Sequence, residues 1–109
     1  MDFLAIGHFT HDVVPEGLII GGAAAYSTIT ARNLGFKPAA LTSVGPDFNL
    51  SDPLIEGIEV RVKPADKTTT FRNIYREGHR TQYLLGVAEK IRGKDVPEEW
   101  TSAPIVYLC

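Results

Sequence analysis

At 109 residues, 44% of them apolar and 22% charged, the chain has the size and composition of one globular domain. A formal net charge of −2 excludes the clustered basic footprint of a nucleic-acid binder, and a single cysteine, Cys109, excludes an intrachain disulfide framework. No apolar run reaches the length of a bilayer span, and a cytoplasmic location is expected.

Residues 2–7, DFLAIG, form a short apolar run of the kind buried in a parallel sheet. The run feeds a polar cluster, His8 to Asp12, at the strand's C-terminal end, where open α/β sheets bind their ligands. Asp12 is the first residue there suited to accept substrate hydroxyls, and the same aspartate suits a turn cap. His8 and His11 sit three apart in an extended segment and so face opposite ways. No cysteine or further acidic grouping completes a ligand set around them, so no metal site is expected. Residues 13–18, with Pro15 and Gly17, read as a brief connector.

Residues 19–35, IIGGAAAYSTITARNLG, are the stretch around which the chain is organised. An apolar approach meets a double glycine, then a small-residue helix over 23–34 that closes on Gly35. Gly21 and Gly22 let a ligand approach the backbone, and the helix start points free N–H groups and a positive dipole end at the same place. A polyhydroxylated or anionic small molecule fits that chemistry, although a plain loop-to-helix turn has the same local sequence. The stretch has neither the G-x-G-x-x-G spacing nor a P-loop Gly-Lys-Ser/Thr. Residues 37–44 supply the next strand, completing a right-handed βαβ unit.

Gly45, Pro46 and Asp47 break that strand, and residues 48–57 read as loop with one helical turn. Residues 58–63 then alternate, with Ile58, Val60 and Val62 on one face and Glu59, Arg61 and Lys63 on the other. After a turn at 64–67, residues 68–75 and 80–85 read as a hairpin around Gly78. Its mixed polar and apolar residues suit either a lid over a pocket or a solvated antiparallel face. Residues 86–95 carry no clear pattern, Pro97 opens a short helical turn, and 103–109, APIVYLC, are a buried-type strand. An apolar strand that ends on a free carboxylate is costly, so further sequence after Cys109 is expected. The expected division is an α/β substrate-binding part at 1–57, a β lid at 58–88, and a truncated return to the core at 89–109.

The spacing of Gly21, Gly22, Ala24, Thr28, Gly35 and Gly45, followed by Asp47 and preceded by Asp12, resembles the N-terminal part of the ribokinase-like (PfkB) carbohydrate kinases. The segments GHFTHDV, GGAAAY, SVGPDF and TTTF look most like the inositol-kinase branch. The resemblance implies a partial three-layer α/β fold, a parallel sheet with helices, plus an antiparallel β lid hairpin. It implies a whole enzyme that transfers the γ-phosphoryl group of ATP, with Mg²⁺, to a sugar or inositol hydroxyl. Asp12 would accept substrate hydroxyls, Gly21 and Gly22 would lie against the ring, and Tyr26 would line or stack on it. Thr70, Phe71 and Arg72 are the implied lid contacts.

Two departures stand out. Tyr26 occupies the position of the family's substrate-binding asparagine, which argues against an ordinary ribose- or fructose-type sugar. The 13–18 connector looks too short for the lid strands commonly found there. The Gly-Ala-Gly-Asp-type motif that carries the family's catalytic base does not occur in these residues. No catalytic residue is therefore expected in this chain, the ATP site is expected elsewhere, and these residues alone are expected to be inactive. A nucleoside kinase of the same family, and a non-catalytic sugar-binding or dimerisation module pairing through the lid, are the alternative readings.

Overall fold

The computed structural model describes residues 1–109. In chain order it runs β1 (Phe3–Ile6), β2 (Thr10–Val14), β3 (Gly17–Gly21), α1 (Ala23–Asn33), β4 (Pro38–Val44), β5 (Glu59–Pro64), β6 (Thr70–Arg76), β7 (His79–Gly86) and β8 (Val106–Leu108). Two four-stranded sheets result: a parallel one in the order β5-β4-β1-β8, and a mixed one in the order β3-β2-β6-β7.

The parallel sheet is organised by β4, all seven residues of which are buried. Side chains alternate across a strand, so Ala40 and Val44 join Ala5, Phe9, Ala24 and Ala25 on one side. Ala39 and Leu41 join Leu4 and Trp100 on the other. Helix α1 covers the first side with Ala24, Ala25, Thr28 and Ala31, small residues that let it sit close to the sheet. The buried Thr28 hydroxyl is satisfied by donating back to the Ala24 carbonyl at 2.7 Å. The helix closes as the sequence predicts: Phe36 N–H bonds to Ala31 O and Gly35 N–H to Arg32 O, the Schellman pairing.

The third layer, on the far side, is not an α-helix. It is the segment 91–103, with 3-10 turns at Gly93–Asp95 and Glu98–Trp100. The outward residues of β5 hold it. The Arg61 guanidinium lies 5.6 Å from the centroid of the Trp100 ring. Lys63 Nζ donates to Lys90 O at 2.8 Å and to the Asp95 carboxylate at 2.9 Å. Asp95 also accepts the Arg92 N–H, and this bond, followed by Lys63, holds its carboxyl below the usual range. Residues 86–95 lack a readable period because polar contacts fix them more than a buried stripe does.

The second sheet corrects two expectations. Residues 13–18 are not a connector, and the lid strands expected to be missing between Asp12 and Gly21 are present. β2 and β3 form a tight hairpin in which Val14 faces Gly17, leaving Pro15 and Glu16 as the loop. Pro15 supplies the fixed φ of a turn's second position and Gly17 adopts a φ of +134°. The two punctuating residues therefore mark the turn inside a pair of strands, and β-branched Val13, Val14, Ile19 and Ile20 supply the strand preference. The second hairpin, β6–β7, turns at Glu77 and Gly78, both at positive φ as a type I′ turn requires.

The two hairpins meet through a short parallel join, His11 opposite Thr70 and Asp12 opposite Phe71. The mixed sheet thus draws on 10–21 as well as 70–86, and β5 pairs with β4 in the parallel sheet. Alternation in β5 looks half-exposed because it is an edge strand, with Ile58, Val60 and Val62 packed toward the α1 side. No helix is long and apolar enough to cross a membrane.

Leu41 is 1% exposed at the centre of the second packed face. Leu41→Ala is expected to cost about 2–5 kcal/mol in urea unfolding, the range for emptying a core leucine site. A loss under about 1 kcal/mol would show that the 91–103 segment does not form a packed layer.

Candidate functional site

Asp12 lies in mid-strand, not in a turn, so the turn-cap reading does not hold. Aspartate is depleted in strands, and the geometry around it is unusual. A Cβ on Gly21 would fall 2.5 Å from Asp12 Oδ2 and 3.1 Å from Thr10 Oγ1. The carboxylate therefore lies across β3 through the space that a side chain at residue 21 would fill. Gly22 has a separate reason. It is the N-cap of α1 with φ +96°, and a Cβ there would meet the His8 carbonyl oxygen at 2.5 Å. No side chain caps α1, so its first N–H groups and positive end open beside the Asp12 carboxylate.

The register of the lid sheet sorts the remaining candidates. Phe71 pairs with Asp12 and shares its face, while Thr70 and Arg72 share the opposite face with His11. Two residues beyond Phe71, Asn73 lies on the Asp12 face opposite Gln82. Its Oδ1 is buried without a hydrogen-bond partner, a state that points to a missing donor. The sequence reading missed Asn73 because strand alternation alone cannot say which side of TTTFRNIY faces Asp12. Beyond the join, β2 and β6 separate around a cleft of about 610 Å³ bordered by Val13, Val14, Arg72, Asn73 and Tyr75. Tyr26 is exposed and borders another cavity, an apolar groove of about 750 Å³ between α1 and β8, with Phe3, Leu34, Phe36 and Tyr107.

At the root of the lid, Thr68 donates twice to Asp47 Oδ1, from its N–H at 3.0 Å and from its hydroxyl at 2.7 Å. The Thr68 hydroxyl oxygen in turn accepts the Gly45 N–H at 3.1 Å. The hydroxyl bond from Thr68 is the main reason that the Asp47 carboxyl sits below its ordinary value. The buried His11 ring stacks on Phe48 at 5.2 Å, with Nδ1 3.9 Å from Asp47 Oδ2 and unpartnered. His8 instead pairs through Nε2 with Glu89 O at 2.7 Å. The two histidines thus have different partners, and no three His, Cys, Asp or Glu side chains converge.

No protein-family model matches the chain, and no curated protein matches it. Solved structures do. A pyrophosphate-dependent kinase in the ribokinase family, determined with a pyrophosphate analogue and myo-inositol, is 25% identical, with a TM-score of 0.75. The match covers 97% of this chain and 39% of that one. The chain carries the ribokinase-family fold. An uncharacterised sugar kinase from Pyrococcus horikoshii shares this ribokinase-like fold at 21% identity and a TM-score of 0.76, over 97% of this chain and 44% of its own. Fructokinase from Vibrio cholerae does so at 20% identity and a TM-score of 0.64, over 89% and 39%. The chain spans about two fifths of the length of these ribokinase-fold kinases.

The Asp47 carboxyl is held low in the folded chain, so on acidification the unfolded chain takes up that proton first. Its stabilising contribution is whole above the ordinary carboxylate pKa and is lost as the pH falls through the lower folded value. Asp47→Asn is therefore expected to flatten the acid limb of stability against pH, measured by urea midpoints from about pH 6 down to about pH 3. An unchanged acid limb would show that Thr68 does not hold the carboxylate.

Proposed function

We propose that this chain is the acceptor-binding part and lid of a kinase that phosphorylates a hydroxyl of a sugar or cyclic polyol, with myo-inositol the foremost candidate. One observation carries the reading: the Asp12 carboxylate laid across Gly21, where the lid, the helix start and the parallel sheet meet. The ribokinase-family kinase with 25% identity was determined with myo-inositol, and a cyclic polyol suits the chemistry here. Its hydroxyls donate to Asp12, the first N–H groups of α1 donate to its oxygens, and Phe71 covers its C–H face. Asn73 Oδ1 takes a further hydroxyl proton in a hydrogen bond. Gly22 keeps the approach to the helix start open, whereas Tyr26 borders the separate α1–β8 groove and Thr70 and Arg72 serve the opposite face of the lid.

Phosphoryl transfer needs little covalent help from the protein and much positioning. A lid that excludes water also directs the phosphoryl group to the polyol and not to hydrolysis. The donor is a phosphoanhydride: ATP with Mg²⁺ by the family resemblance, or pyrophosphate as in that relative. The donor site and the catalytic base lie outside these residues, so the 109 residues alone do not turn over. β3 and β7 are the free edges of the lid sheet, and we assign to them pairing with a second copy. A reducing, cytoplasmic compartment belongs to the same reading.

Asp12→Ala in the complete enzyme removes an ionised acceptor whose hydrogen bonds contribute about 1.5–3 kcal/mol each. Acceptor affinity should fall roughly 10- to 100-fold for each bond lost, with donor affinity unchanged. The assay takes myo-inositol, ribose, fructose and a nucleoside, each with ATP and with pyrophosphate. Unaltered acceptor affinity would remove Asp12 from the site, and turnover confined to the nucleoside would replace the polyol reading.

A further inference from the structure

We infer that Asp47 is a positioning residue that fixes the root of the lid and thereby sets where Asp12 points. The inference rests on the acceptor-site reading above. β2 and β6 are joined at only two register positions, His11–Thr70 and Asp12–Phe71, so the lid hairpins are held to each other right beside the acceptor residue. The loop after β4 fastens this join to the body, beside the bonds that Phe9 N–H and Glu89 N–H make to Thr42 and Ser43 of β4 and the packing of Ile20 on the core. Asp47 grips the entrance to β6 through the N–H and hydroxyl of Thr68. The next residue, Phe48, grips β2 by stacking on the His11 ring. Between the two, His11 N–H bonds to Thr69 O at 2.9 Å, closing a path from Asp47 through Thr68 and Thr69 to the residue before Asp12.

The glycine ahead of this loop serves the same purpose. A Cβ on Gly45 would lie 2.5–2.8 Å from the Lys67 backbone, so residue 45 must be bare for the chain to cross into Thr68. The far end of the lid is tied to the same place, since Ala88 N–H donates to Thr69 Oγ1 at 3.0 Å. Asp47 stabilises through its bonds to Thr68 and not through packing. Its side chain is 45% exposed and belongs to neither packed cluster. Beyond their share of stability, these two charge-assisted bonds are directional and fix the angle of lid to body.

Steady-state kinetics on the complete enzyme, with myo-inositol as the varied acceptor, test this. Asp47→Ala should raise the acceptor KM by about tenfold or more and leave the donor KM unchanged, as expected for loss of hydrogen bonds to a charged group. Asp47→Asn, whose amide oxygen still accepts from Thr68, should restore most of the difference. A merely structural role would shrink the active fraction, lowering kcat with both KM values unchanged, and that result overturns the inference. If the wild-type protein transfers no phosphoryl group to any acceptor, the kinase reading fails and amide hydrogen exchange decides the anchor separately. In Asp47→Ala the Thr68 and His11 amides should then exchange about tenfold faster while those of β4 stay protected. Equal exchange in both proteins overturns it.

Discussion

The carboxylate of Asp12 and a side chain at residue 21 would compete for the same space, with only 2.5 Å between Asp12 Oδ2 and a Cβ placed there. Glycine at that position therefore lets the carboxylate lie across β3 as it does here, whereas a side chain at residue 21 would push it aside. Once Gly21 is fixed, Gly22 must turn the chain from β3 into α1, past the His8 carbonyl and at a φ that other residues rarely adopt. The helix then starts at Ala23 with bare N–H groups beside the carboxylate. Acceptor and donor groups are thus set side by side by one steric exclusion and one backbone torsion. A polyol, whose every hydroxyl both donates and accepts, suits such a pair.

The centre of the parallel sheet was legible because its strands are buried. The runs at 2–7 and 37–44 stay apolar on both faces, as strands covered on both sides must, and they pair as β1 and β4. The run at 103–109 does pair with β1 as β8, but the expectation of a buried strand is corrected there, since Val106, Tyr107 and Leu108 are all exposed at the sheet edge. Helix α1 was legible from its small residues and its closing glycine. The β2–β3 hairpin was not. Pro15 and Gly17 look like the marks of a loop, and nothing local shows that a two-residue turn is enough to reverse the strand. The double glycine was legible as a bare turn into the helix, whereas the close approach at Gly21 appeared only once the register brought Asp12 beside it. Asn73 needed the same register, since a strand read in isolation has two equivalent faces. Asp47 could be read as a motif residue from its spacing, but its partner Thr68 lies 21 residues away and becomes a neighbour only through the fold.

The two sheets differ in how they are held, and the difference suits their tasks. The centre of the parallel sheet, β1 and β4, is sealed by packed clusters on both sides, with Leu4, Ala5, Ala39, Ala40 and Leu41 essentially buried, whereas its edge strand β8 is exposed. The lid has no comparable core. β7 is exposed along nearly all its length, and large apolar residues such as Ile19, Tyr75 and Leu84 remain open to solvent. Its cohesion comes from hairpin hydrogen bonds and from the root contacts at Thr68, Thr69 and His11. Regions with few buried apolar contacts open at lower free energy than the global unfolding, so motion of the lid leaves the body intact. Asp12 sits where the two regimes meet: it lies on β2 of the mixed sheet, while Gly22 caps the helix packed on the parallel sheet.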